Sequence, residues 1–286
     1  MKRLLLLALV LGAACSSPKT NDKELLTVSI LPQKYFVEKI AGNLLEVQVL
    51  VPPGAGPETY SLVPSQMKEL SKSTAWLRIG KVGFEDAWHE KIEQGNPNLK
   101  VFDTSADADW IAEEVRQHGD HVHVHGVDPH IWTSPTEVLK IASLTYKALV
   151  ELFPDKAGVF QENYEIFRAE IEALDQELLS QFDELKHRGF LIFHPALSYL
   201  ARDYDLEQIS LEVDGKEPSP KYMSELIKHA REEGIRVVFI QKEFDQENAR
   251  QLAEEIKGEI VPLDPLAENW AEGLREIARK IVEASK

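Results

Sequence analysis

Only one of the 286 residues is a cysteine, Cys15, so the chain can close no intramolecular disulfide. Positive charge is also in short supply. Lys and Arg number 32 against 48 Asp and Glu, a net charge of −16. That deficit removes any general attraction to nucleic acid or anionic headgroups and makes small cations the more natural partner. The apolar run Leu4–Leu11 is far shorter than the roughly 20 residues of a membrane-spanning helix. Hydrolase signatures are missing as well: there is no H-E-x-x-H, no G-x-S-x-G and no phosphate-cradling Gly-rich loop. Hydrophobic residues make up 43% of the chain, enough for one large domain or two of roughly 100–150 residues.

Met1-Lys2-Arg3, the run Leu4–Leu11 and the small residues Gly12-Ala13-Ala14 have the order of a secretory signal, expected over residues 1–14. Cys15 follows as in a bacterial lipobox, with a departure at Gly12, where Leu is usual. The expectation is a lipidated Cys15 and a polar tether over residues 15–24, holding the protein to a membrane outside the cytoplasm.

From Leu25 onward, short β-rich runs alternate with helical patterns. Strands are expected at Leu25–Ile30, Leu44–Val51, Thr74–Ile79 and Leu99–Phe102, with helices after Pro32, Pro64, Gly83 and Pro135. Such alternation implies parallel α/β layering. From Pro154 to about His187 one apolar stripe continues through Phe160, Tyr164, Phe167, Ile171, Leu174, Leu178, Phe182 and Leu185, at spacings of three and four. About 32 residues at 1.5 Å each predict a rod of roughly 48 Å. The α/β rhythm then resumes with strands at Phe190–Phe193, Leu206–Leu211, Val237–Gln241 and Glu259–Leu263. The organisation expected is an N-terminal lobe over 25–153, a linking helix over 154–188 and a C-terminal lobe over 189–286.

The densest unusual feature is the run from His118 through His121 and His123 to His125, four of the nine histidines. Alternating imidazoles share one side of an extended segment and suit zinc, copper or nickel, which points to loose metal capture. Asp128-Pro129-His130 holds a second kind of histidine, stiffened by proline ahead of a helix. Phe190-Leu191-Ile192-Phe193-His194 delivers a third at the carboxyl end of an apolar strand, where α/β sheets bind ligands. Two further strand ends lead to acids, Glu58 and Asp264. His89, His187 and His229 read as surface residues, and Trp76, Trp88, Trp110 and Trp270 as packing anchors, with Trp132 beside the site.

Together these segments resemble the cluster A-I substrate-binding lipoproteins of zinc and manganese ABC importers. The motifs that carry the resemblance are Pro53-Gly54-Ala55-Gly56-Pro57-Glu58-Thr59-Tyr60, Asp128-Pro129-His130-Ile131-Trp132, Phe193-His194-Pro195-Ala196 with Tyr199, and Leu263-Asp264-Pro265-Leu266. The resemblance implies two Rossmann-like α/β lobes bridged by a rigid helix, with one metal ion between them. It implies His130 and His194 as ligands, Asp264 as an acidic ligand used in some members, and a His-rich auxiliary loop. The first family ligand is normally histidine, and here it is Glu58. Two histidines with up to two carboxylates make manganese more tolerable than a three-histidine set, with zinc still favoured.

The implied role is capture of a divalent ion by Glu58, His130, His194 and Asp264 and its delivery to an integral-membrane ABC permease, by a monomer with no nucleic-acid partner. Affinity should fall as the pH drops toward about 6, because histidine must be neutral to coordinate. The alternatives are a manganese-specific member, a metallohydrolase with an open site, and an adhesin or interaction lipoprotein in which metal is only structural.

Overall fold

The computed structural model describes residues 23–112, 116–118, 121–123, 126–212, 218–244 and 247–286. Cys15 and His125 lie outside the described residues.

The first lobe runs β1 (Glu24–Val28), α1 (Leu31–Ala41), β2 (Leu45–Val49), α2 (Pro64–Leu70), β3 (Ala75–Arg78), α3 (Gly83–Gly95) and β4 (Lys100–Asp103). Its four strands are all parallel, in the order β2-β1-β3-β4. A short antiparallel pair follows, β5 (Arg116–His118) and β6 (His121–His123), with His118 opposite His121. His121-Val122-His123 is extended, in keeping with the alternating pattern, and His118 lies on the strand paired with it. A bridge between Ala112 and Val127 closes the base of this excursion.

A 3-10 turn at Ile131–Thr133 leads into α4 (Pro135–Leu152). Ser134 caps it by accepting from Glu137 N–H, and Pro135 occupies the first turn, where its missing N–H costs nothing. The long helix α5 spans Ala157–Asp183, 27 residues or about 40 Å. It is shorter than expected at both ends. Pro154–Lys156 forms a separate 3-10 turn, and the chain leaves the helix after Asp183 because β7 begins at Gly189. Phe160, Phe167, Ile171, Leu174, Leu178 and Phe182 are its buried face, as the stripe predicts.

The second lobe contains β7 (Gly189–Ile192), α6 (Ser198–Asp203), β8 (Glu207–Ser210), α7 (Pro220–Glu233), β9 (Val237–Gln241), α8 (Glu247–Glu255), β10 (Glu259–Leu263) and α9 (Trp270–Ala284). Its parallel order is β10-β9-β7-β8. Numbered by appearance within each lobe, both sheets read 2-1-3-4, so the two lobes share one topology. β9 is buried at all five positions, and its first four residues, VVFI, are the apolar run that a strand covered on both faces demands, with Gln241 the one polar residue at its end.

The lobes are not independent bodies. One hydrophobic core runs from Leu26 and Phe36 through Phe167 to Phe239 and Ile281. Phe36 of α1 packs against Phe167 of α5 at 5.9 Å and edge-on against Trp270 of α9 at 5.3 Å between ring centroids. A smaller core around Leu191, Val238, Ile240 and Leu252 covers the other face of the second sheet.

Candidate metal centre

Three of the sequence-selected residues meet between the lobes. Glu58 sits in the loop between β2 and α2, His130 just before the 3-10 turn, and His194 just after β7. One ligand atom from each lies within 4.8 Å of the others. His194 Nε2 is 2.9 Å and His130 Nε2 3.3 Å from Glu58 Oε1, and the two Nε2 atoms are 3.4 Å apart. Two nitrogens bonded to a tetrahedral zinc at about 2.05 Å would stand about 3.3 Å apart. The observed spacing therefore matches a shared ion.

His130 is held from both sides of its ring. Asp128 Oδ1 accepts from the His130 backbone N–H at 2.8 Å and pairs with Nδ1 at 2.8 Å, an Asx-type turn that the intervening Pro129 stiffens. Asp128 is itself anchored, since its carbonyl accepts from Tyr199 OH at 2.7 Å. Trp132 covers the other side, 5.2 Å from the His130 ring, and its Nε1 donates to Pro265 O in the second lobe.

His194 repeats the arrangement with different parts. Its Nδ1 pairs with Glu212 Oε2 at 3.0 Å, and Phe244 stacks on the ring at 4.7 Å. Each imidazole thus turns one nitrogen to a carboxylate and the other to the centre, which fixes the tautomer and raises ligand basicity.

The Glu58 loop rests on the start of α3. Phe84 N–H donates to Pro57 O, and Gly83 lies so close that a Cβ there would stand 2.2 Å from Glu58 O. Only glycine permits this approach.

The charges are coupled. Burial pulls the Glu58 carboxyl upward, but hydrogen bonds from His130 and His194 outweigh it and hold the group well below the ordinary carboxylate range. Burial lowers His130, yet Asp128 and then Glu58 overcome it and push the imidazole up to about 10. His194 is raised against the same burial by Glu212 and Glu58. Protonated, the rings donate to the carboxylates. Neutral, they offer two nitrogen lone pairs beside a carboxylate oxygen, a donor set suited to a borderline divalent cation.

Asp264 is not part of this group. Its Oδ2 accepts from Lys242 Nζ at 2.8 Å, and it lines a neighbouring cavity of about 410 Å³ with Glu243 and Glu268. The backbones of His118, His121 and His123 lie in the β5–β6 pair, and their side chains lie outside the described residues. His187 is exposed but lies beyond α5, while His89 and His229 are half-buried on α3 and α7. Trp76, Trp132 and Trp270 are buried, and Trp88 and Trp110 pack on the core.

Sequence reasoning passed over Glu212, Gln241, Phe244 and Gly83. For Gln241, the end of β9, the strand-end rule that selected His194 supplies a signal. Glu212 directly follows the expected strand Leu206–Leu211, so the strand-end rule supplies a signal for it too, but not its pairing with His194, which depends on how β8 pairs with β7. Asp128 was visible within Asp-Pro-His, but its role as the partner of His130 Nδ1 was not.

A family model described as ZnuA, the periplasmic component A of a zinc-uptake complex, matches residues 26–284. A protein of Chlamydia trachomatis serovar D, provisionally assigned as metal-binding, is 28% identical over 281 residues, covering 97% of this chain and 98% of its own. The zinc-binding lipoprotein AdcA of Streptococcus pneumoniae serotype 4 is 27% identical over 285 residues, 94% of this chain but 56% of AdcA, so this chain spans little more than half of that protein. A crystal structure of ZnuA superposes with a TM-score of 0.86 at 40% identity, over 93% of this chain and 100% of that one.

Proposed function

Because this chain belongs to the ZnuA family of periplasmic zinc-uptake components, we propose that Glu58, His130 and His194 are the ligands by which it holds its cargo. The protein is the extracytoplasmic binding component of a metal-uptake ABC system, with zinc as the cargo and an integral-membrane permease as the recipient. The family is one of transport proteins and not of enzymes.

The observation that supports this ligand set most strongly is the 3.4 Å separation of two imidazole nitrogens drawn from different lobes. Two nitrogens and one carboxylate favour zinc over manganese, which prefers a shell richer in oxygen. Asp264, held by Lys242, stays outside the ligand set in this reading. Attachment through an acylated Cys15, metal gathering by His118, His121, His123 and His125, and action as a monomer complete the proposal. The domain division into residues 25–153, 154–188 and 189–286 is retained with it, since helix α5 lies between the two sheets.

Titration calorimetry tests the assignment. Wild-type chain should take up one zinc ion at this site, and His130→Ala combined with His194→Ala should abolish that uptake. Unchanged zinc affinity in the double variant would refute it.

A further inference from the structure

Three protein ligands leave one position open on a four-coordinate ion, and water is the usual occupant. Water bound to a divalent cation is a strong donor and needs an acceptor nearby. The cavity in front of the triad is small, about 100 Å³, and is lined by Glu58, His130, His194, Gln241, Glu243 and Phe244 among others.

Gln241 ends β9 and is 2% exposed. Its Nε2 donates to His194 O at 2.7 Å. That bond fixes the orientation of the amide, because the reverse would set two oxygens against each other. The other end, Oε1, is buried without a hydrogen-bond partner among the described residues. A buried polar atom left unpaired in a folded protein calls for a missing water or ion. Gln241 is also one of the residues lining the cavity of the candidate metal centre.

We propose that Gln241 is a positioning residue whose Oε1 accepts a hydrogen bond from the water completing the captured ion's coordination shell. The inference rests on the ligand reading given above. It assigns the orphaned oxygen to the hydrated ion and leaves the amide nitrogen to brace His194. Gln241 thereby favours an ion that retains one water beside three protein ligands.

The two ends of the side chain can be tested separately. Gln241→Leu removes both the oxygen and the amide donor, whereas Gln241→Glu removes the donor and keeps an oxygen. In both variants His194 O stays paired through Ala196 N–H at 2.8 Å, and an unchanged urea-unfolding midpoint of the metal-free chain establishes that each variant is folded before its affinity is read. Zinc affinity of the full chain would be measured by competitive titration. The visible ligand-field bands of the cobalt(II)-loaded chain would report the coordination shell.

Gln241→Leu should weaken zinc about tenfold to a hundredfold, the usual range for outer-shell partners, and should alter the cobalt bands. Gln241→Glu should keep most of the affinity. Equal losses in the two variants would make His194 bracing the whole role and overturn the proposal. So would no loss in Gln241→Leu, or a loss with unaltered cobalt bands. A failure of the ligand reading looks different: wild-type chain would bind no zinc, or His130→Ala with His194→Ala would bind it unchanged, and both claims would fall together.

Discussion

His130 and His194 are 64 positions apart in sequence, yet their Nε2 atoms face each other at 3.4 Å with the Glu58 carboxylate between them and solvent. Neither lobe can make this arrangement alone. It exists because α5 and α9 share one core with α1 and fix how the two sheets present their strand ends.

The carboxylates behind the imidazoles should matter nearly as much as the ligands. Asp128→Asn and Glu212→Gln each leave the metal-facing nitrogens in place but weaken the group that fixes the tautomer. Each should lower zinc affinity about tenfold to a hundredfold in competitive titration. Wild-type affinity in Asp128→Asn would contradict the orienting role.

Proton competition sets the pH dependence. His130 is pushed up to about 10, so its ring holds a proton at neutral pH that zinc must displace, and His194 is raised in the same direction by Glu212 and Glu58. Apparent affinity should therefore climb with pH from about 6.5 toward 10, by up to about one logarithmic unit per pH unit for each ring still protonated. Metal-free stability has the opposite sign. A raised imidazole contributes fully below its unfolded value of about 6.5, and that contribution is lost as the pH rises through about 10. Calorimetry in buffers of different protonation heat should show release of at least about one proton per zinc near pH 7, from His130. An affinity flat from pH 6 to 9 would count against the coupling.

Gly83 is predicted to control the placement of Glu58. Alanine there would bring a Cβ to 2.2 Å from Glu58 O, so either α3 or the ligand loop must shift. Gly83→Ala should cost about tenfold in zinc affinity, at the lower end of outer-shell effects. In a Glu58→Ala background the same change should cost nothing further. Additive losses in the double variant would show that Gly83 acts elsewhere.

The shared core predicts that the lobes unfold together. Phe167→Ala removes the ring that touches Phe36 and lies in the α5 face between the lobes, and should cost about 3–5 kcal/mol in urea unfolding. A single cooperative transition at lower urea is expected. Two separated transitions in the wild-type chain would contradict the shared core.

The sequence made much of this plain, for physical reasons that differ by element. The central strands were legible because they are short, mostly apolar and buried, as in β3 and β9, and because turn residues and helical patterns separate them. The stripe on α5 was legible because one helical face carries the interlobe core. His130 and His194 stood out as histidines delivered by a stiff Asp-Pro turn and by a strand end. A strand-end acid looks the same in sequence whether it faces an ion or, as Asp264 does here, Lys242. The pairing of Glu212 with His194 was not readable because the two meet only through strand pairing. The pH window shifted with it, since a bare histidine suggests loss of metal near pH 6 and a carboxylate-backed one moves the competition upward.

Anomalous diffraction at the zinc edge, from crystals of the chain loaded with one equivalent of zinc, tests the central claim most directly. A single strong peak is predicted within about 2.0–2.2 Å of His130 Nε2, His194 Nε2 and one Glu58 oxygen. A peak held elsewhere, or one touching only one of the two imidazoles, would contradict it.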